Sequence, residues 1–205
     1  MLDEISLEVA VTQLIGVARS GTFSRCVGYH HLAATQPSHG SSARPQPLWG
    51  IGSKRFGGRF TPRNSFETIY LAEDPVTALA EVSAVLLNPG GGVITLRSLP
   101  WVTVTVQGTL LAVLDVSNMG IQAKLGTTSQ ELTGEWRYTQ AGGGEAPTQL
   151  LGRVCHKTAL FDAIRYPSSK NLPAGRCLAV FTDRLKGPAY LEVYDPNGHL
   201  AQRLP

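Results

Sequence analysis

Apolar residues recur along this chain at two different periods, and the changes from one to the other predict its elements. Leu2, Ile5, Val9, Leu14 and Val17 recur at roughly helical spacing, and Gly21 can stop such a helix. This predicts an N-terminal helix within residues 1–22 that packs on a globular unit spanning 23–205. Phe23-Ser24-Arg25-Cys26-Val27 reads as a short strand, and residues 34–50, rich in Pro, Ser, Gly and Gln, as an irregular loop. Residues 68–72 favour a strand through Ile69, Tyr70 and Leu71. Asp74-Pro75 starts a helix: Asp suits the N-cap, and Pro suits the first helical position, where no N–H is needed. Val76, Leu79, Ala80 and Val82 give that helix an apolar side, with Glu81 next to it.

The second half is richer in strands. Residues 88–92 read as a turn, and 93–96, 102–106 and 110–116 as strands, with Gly108 a turn or bulge that makes the last two look like a hairpin. Asp115 ends an apolar run and reads as a capping or turn residue. Thr128-Ser129-Gln130-Glu131 is a capping-box pattern opening a helix around 132–138. Residues 147–159 read as another helix, with Leu150, Leu151, Val154 and Cys155 on one side. The apolar-to-basic run 163–166 precedes Pro167-Ser168-Ser169, and strands at 175–181 and 189–194 follow, with a turn at Pro196-Asn197-Gly198. Many short strands with about four helices make an α+β domain with a partly antiparallel sheet.

Composition narrows the class without naming a function. A chain of 205 residues suits one domain, and 42% apolar content is enough for a core. A net charge of +3 is too mild to imply direct nucleic-acid binding. The three cysteines, Cys26, Cys155 and Cys177, have no CxxC spacing, which argues against a disulfide framework and against a zinc site. The five histidines show no ligand spacing such as HExxH, so no metal is called for. Acidic residues come early, at Asp3, Glu4 and Glu8, unlike a signal peptide, and no apolar run approaches a membrane span. A soluble cytoplasmic protein is expected.

Candidate chemistry concentrates between residues 49 and 81. Trp49-Gly50-Ile51-Gly52-Ser53-Lys54-Arg55 resembles two phosphate motifs and satisfies neither: Arg55 stands where GxGxxG needs its third glycine, and Gly58-Arg59 replaces the Lys-Ser/Thr of Walker A. A basic, glycine-rich loop with Lys54, Arg55 and Arg59 can still hold a pyrophosphate by charge and exposed N–H groups. Taken singly, Arg59 and Glu81 read as solvated charges and Tyr70 as core. Taken together, Gly57-Gly58-Arg59-Phe60, Ile69-Tyr70-Leu71 and Ala78-Leu79-Ala80-Glu81 place Arg, Tyr and Glu at equal intervals, 59 to 70 and 70 to 81.

That order resembles the RES family, named for an arginine, a glutamate and a serine, over about residues 23–185. The resemblance implies an ADP-ribosyltransferase-like split β-sheet core around NAD+. It implies catalytic roles for Arg59, Tyr70, Glu81 and Ser168, with Arg25 helping to hold the substrate; Lys54 and Arg55 join it as expected substrate contacts on the strength of their basic loop alone. The family often has an aromatic residue after that arginine, where this chain has Cys26. Ser169 is the adjacent alternative to Ser168. In an extended segment only one of the two faces the cleft, and the family's proline–serine order selects Ser168. The implied activity is that of a bacterial toxin that degrades NAD+ by phosphorolysis or hydrolysis of the nicotinamide–ribose bond, or that transfers ADP-ribose to a protein. NAD+ is a substrate there and no cofactor is expected; inorganic phosphate is the co-substrate in the phosphorolytic case. The implied partner is a cognate Xre-type antitoxin covering the active site.

Overall fold

A computed structural model of the chain describes residues 1–32, 45–87, 92–95 and 100–205. In chain order its elements are α1 (Glu4–Thr12), β1 (Val17–Gly28), α2 (Ile51–Phe56), β2 (Thr68–Ala72), α3 (Pro75–Glu81), β3 (Val85–Leu87), β4 (Val93–Thr95) and β5 (Trp101–Asp115). There follow α4 (Met119–Lys124), α5 (Ser129–Thr133), α6 (Trp136–Ala141), α7 (Pro147–Thr158), β6 (Ala163–Pro167), β7 (Arg176–Phe181), β8 (Tyr190–Val193) and β9 (Arg203–Leu204).

Seven strands form one sheet in the order β1-β2-β7-β6-β5-β8-β9, and β1 also pairs with β5. The strands β1, β2, β7, β6 and β5 therefore close on themselves. Only the β5–β6 pair of this sheet is parallel. Side chains alternate between the faces of a strand, and the two faces feed two cores. Phe23, Ile69, Leu71, Val104, Val106, Leu110, Leu178 and Val180 fill the closed strands. Ala72, Leu114, Ile164, Tyr166, Cys177, Ala179 and Phe181 face the other way, onto Leu7 and Val11 of α1, Leu132 of α5, and Leu151 and Val154 of α7.

Several expectations change. The N-terminal helix is capped by Asp3, which accepts the Ser6 N–H at 3.1 Å, but it stops at Thr12. Residues 17–22 are strand instead, because β1 pairs with β5 along nearly its whole length, Gly21 opposite Gly108. A boundary after residue 22 thus falls inside one continuous strand, although α1 does pack on the core through α7, with Arg153–Glu4 and Lys157–Glu8 ion pairs. The hairpin expected around Gly108 is also absent: β5 runs straight through. A Cβ on Gly108 would lie 2.6 Å from Leu191 Cδ2 and 2.8 Å from Tyr190 O, so the glycine admits the close pairing of β8 rather than a turn. The helix expected around 132–138 is split into α5 and α6 at Gly134. Residues 51–56, expected as loop, form α2, which Ser53 pins by donating to Gly50 O and accepting from Thr68 N. Asp115 does cap a turn, accepting from Ser117 N at 3.0 Å, and it also pairs with Arg165 at 2.9 Å. The expected loop at 34–50 lies outside the described residues up to residue 44, as do 88–91 of the expected turn and Leu96 of the expected strand.

Candidate active site

Two glycines make the turn that presents Arg59. Gly57 ends α2 with φ 80°, a conformation that suits glycine. Gly58 leaves room for Tyr70, whose hydroxyl would be 2.4 Å from a Cβ at that position. Tyr70 projects from β2 toward the turn: its hydroxyl accepts the Phe60 N–H at 2.9 Å and meets Thr61 Oγ1 at 2.9 Å. Burial pushes the phenol up to about 12, so it is protonated at neutral pH.

The Arg59 side chain, 8% exposed, is held at one end by the protein. Nη1 donates to Leu132 O at 2.9 Å and to Gly134 O at 2.8 Å, and Nη2 donates to Ser169 Oγ at 3.1 Å. These contacts explain the break between α5 and α6, where carbonyls freed from the helix meet a cation. Of the five N–H groups of a guanidinium, those on Nε and the second on Nη2 have no partner among the described residues.

Glu81 ends α3, which is anchored at its start by Asp74: its Oδ1 accepts the Thr77 N–H at 2.8 Å. Asn171 Nδ2 donates to Thr77 Oγ1 at 2.7 Å and joins the segment after β6 to this helix. Glu81 Oε1 accepts from Ser168 Oγ at 2.6 Å and from Ser169 N at 3.0 Å, whereas Oε2 accepts from no described residue. The carboxylate is thus fixed by one oxygen, with the other left for a ligand.

Ser168 is not the serine that faces the cleft. It is 0% exposed, and its hydroxyl, besides donating to Glu81, accepts from Lys170 N at 3.1 Å and Asn171 N at 3.0 Å. The chain turns here instead of staying extended, because the hydroxyl binds the next N–H groups locally. Ser169 lines the cavity and reaches Arg59. Lys54 is likewise displaced from its expected role: it is exposed on α2 and outside the cavity lining, which takes Arg55 of the same helix.

Arg25, Arg55, Arg59, Tyr70 and Glu81 line one cavity of about 600 Å³, within the usual size of a ligand site. Arg25 enters it from β1. Its Nη2 donates to Trp49 O at 3.0 Å, but its buried Nε has no partner among the described residues. Burial without a carboxylate pulls this guanidinium down to about 10, so it stays charged at neutral pH. Sequence reasoning missed Arg137, Lys170, Tyr166, Trp101 and Trp136, which also line the cavity. One signal was available: the chain has three tryptophans, Trp49, Trp101 and Trp136, and all three line this cavity.

The electrostatics favour an anion. Five cationic side chains, Arg25, Arg55, Arg59, Arg137 and Lys170, line the cavity against two carboxylates, Glu81 and Glu135. None of the five is in an ion pair among the described residues, and the undescribed segments contain no Asp or Glu. Arg137 stacks over the Trp136 ring at 4.6 Å. Flat aromatic walls, unpaired cations and one clamped carboxylate can seat a phosphorylated nucleotide and set a negative charge beside a developing cation. Among the described residues no group of three or more His, Cys, Asp or Glu is placed to hold a metal, and no helix is long and apolar enough to cross a membrane.

Comparison with known proteins bears on the family and the fold. No curated protein sequence matches the chain significantly. Among solved structures, the crystal structure of the M. tuberculosis MbcT-MbcA toxin-antitoxin complex is similar, with a TM-score of 0.64 at 19% sequence identity, over 93% of this chain and 90% of that one. This likeness supports the mixed fold of a sheet core with flanking helices. The family model of the RES domain matches residues 31–201, a span that holds Arg59, Tyr70, Glu81 and Ser168 but begins after Arg25. With that match over most of its length, the chain belongs to the RES domain family.

Proposed function

We propose that this protein is an NAD+-degrading toxin that breaks the nicotinamide–ribose bond. The observation that carries the reading is Glu81, held through Oε1 by Ser168 and the Ser169 N–H, with no described residue on Oε2, in a cavity lined by cations outside any ion pair. In the cleavage, the C1′–N bond breaks with its electron pair leaving on nicotinamide, and C1′ becomes oxocarbenium-like. Oε2 of Glu81 stabilises that positive charge and accepts hydrogen bonds from ribose hydroxyls. Arg25 and the unengaged N–H groups of Arg59 hold the pyrophosphate, while the tryptophan and tyrosine walls enclose the flat rings. The oxygen of water or of inorganic phosphate then bonds to C1′, water losing its proton to solvent. Fixing the ribose before the bond breaks supplies the orientation that such a step needs.

A cognate antitoxin that covers the cavity mouth completes the proposal. It is supported by the likeness to a toxin solved with its antitoxin and by the cationic lining, which suits an acidic or carboxylate-bearing segment of an Xre-type partner. The test is incubation of the purified chain with NAD+, with and without inorganic phosphate, and identification of the products. Nicotinamide with ADP-ribose 1″-phosphate indicates phosphorolysis, and nicotinamide with ADP-ribose indicates hydrolysis. Nicotinamide released only when a protein acceptor is present would replace this reading with ADP-ribosyl transfer.

A further inference from the structure

Thr61 has no exposed surface, yet it sits in the middle of a chain of hydroxyls that ends on the turn carrying Arg59. Its Oγ1 donates to Thr68 Oγ1 at 2.8 Å and lies 2.9 Å from the Tyr70 hydroxyl. A threonine hydroxyl has one hydrogen, and Thr68 takes it. The Tyr70 O–H therefore donates to Thr61, while the same phenol oxygen accepts the Phe60 N–H. Both the donor and an acceptor site of Tyr70 are thus directed at residues 60 and 61. The turn is closed by the Gly58–Thr61 bridge, and Gln149 Nε2 reaches its carbonyls, Gly58 O at 3.1 Å and Thr61 O at 3.3 Å. Arg59 lies between these held residues, so the direction of its side chain follows from where the turn is fixed.

We infer that Thr61 is a positioning residue: acting through the Tyr70 hydroxyl, it sets the turn that aims Arg59 into the cavity, and Tyr70 serves that turn rather than the reacting atoms. The role matters only for a site in which Arg59 binds an anionic ligand, so it rests on the proposed function for its activity readout. The opposing possibility is that the Tyr70 hydroxyl works directly on the substrate. Thr61 separates the two, because a fully buried side chain cannot touch a ligand.

The experiment uses the full chain as Thr61→Val, Thr61→Ser, Tyr70→Phe and the Thr61→Val/Tyr70→Phe double variant. Melting temperature, kcat and KM for NAD+, and Kd for ADP as an uncleavable pyrophosphate probe are measured for each. Loss of one buried hydrogen bond predicts a rise in KM and in the ADP Kd of roughly fivefold to tenfold in both Thr61→Val and Tyr70→Phe, with kcat little changed. Thr61→Ser, which keeps the hydroxyl, should bind ADP nearly as the parent does. The double variant should be no weaker than the worse single, since both changes cut the same chain. A folded Thr61→Val with parental ADP affinity overturns the inference, and so does a fully additive double variant. If Thr61→Val does not fold, Tyr70→Phe decides alone: weaker ADP binding with kcat retained supports the inference, and lost kcat with ADP affinity intact overturns it. If the parent does not cleave NAD+, the ADP measurements still decide the role of Thr61, and only the proposed activity fails.

Discussion

Ser168 and Glu81 are joined by a 2.6 Å hydrogen bond in which the buried hydroxyl donates to Oε1. The same hydroxyl accepts two backbone N–H groups of the segment that follows it, Lys170 and Asn171. One side chain therefore closes the loop after β6 and orients the carboxylate that ends α3. The serine at the position the family resemblance picks out is buried behind the glutamate and does not line the cavity.

Glu81→Gln should leave the fold intact and remove most NAD+ cleavage. The Gln carbonyl can keep both contacts now made by Oε1, with its NH2 group taking the place of Oε2. What is lost is the negative charge beside the oxocarbenium-like carbon, a loss expected to slow the reaction roughly 100-fold or more. Nicotinamide release, set against an unchanged melting temperature, checks this. A Gln variant that cleaves at the parental rate would remove Glu81 from the chemistry.

Ser168→Ala and Ser169→Ala should fail differently. Ser168→Ala leaves two N–H groups without their acceptor and Glu81 without its O–H donor, so a lower melting temperature, from a loss of about 1–3 kcal/mol, should accompany a lower kcat. Ser169→Ala removes only the 3.1 Å contact to Arg59, and should raise KM with little loss of stability. Thermal melts and steady-state kinetics on the two variants separate the roles. Equal losses in both would contradict the division of labour between them.

Arg25→Met should be at least as stable as the parent while binding NAD+ more weakly. Arg25 carries a buried Nε with no partner among the described residues, and burial pulls its pKa down to about 10, below its ordinary value. At neutral pH the charge is thus held against a desolvation cost that an anionic ligand would relieve. Replacing it with an apolar side chain of similar length removes that cost, in the manner of other site residues that trade stability for function. Melting temperature and KM, measured together, check the opposite signs.

Much of the layout was readable, for reasons that differ by element. The capped start of α3 was legible because Asp74-Pro75 encodes it locally. The strand at Tyr70 was legible from Ile69 and Leu71, whose burial matches their period. The Arg–Tyr–Glu order was readable only because the three motifs stand together. What failed depended on contacts distant in sequence. Val17 continues the helical period of the N-terminus, yet the pairing of residues 17–22 with β5 overrides it. Gly108 looks like a turn until β8 is seen to pair beside it. Ser168 and Ser169 exchange places relative to expectation because a local side-chain hydrogen bond turns the backbone, which alternation along an extended strand does not anticipate. Arg137 and Lys170 carried no motif, and only the fold brings them to the cavity.

The tryptophans give the binding step its own signal. All three in the chain line the cavity, so a ligand there changes the surroundings of every tryptophan at once. The Glu81→Gln variant should still bind NAD+, since the cations and aromatic walls remain, but should not consume it during a titration. Its intrinsic emission should therefore change in a saturable way on adding NAD+ and reverse on dialysis. Trp136 contributes through a ring already covered by Arg137 at 4.6 Å, and a nucleotide phosphate that draws Arg137 away would uncover it. Trp136→Phe in the Glu81→Gln background should keep saturable binding, as read by calorimetry, while losing part of the emission change. Because the phosphate contacts are charge-assisted, raising the salt concentration should weaken binding in both backgrounds. An emission change that is linear in NAD+ and insensitive to salt would mean that the dinucleotide does not occupy this cavity.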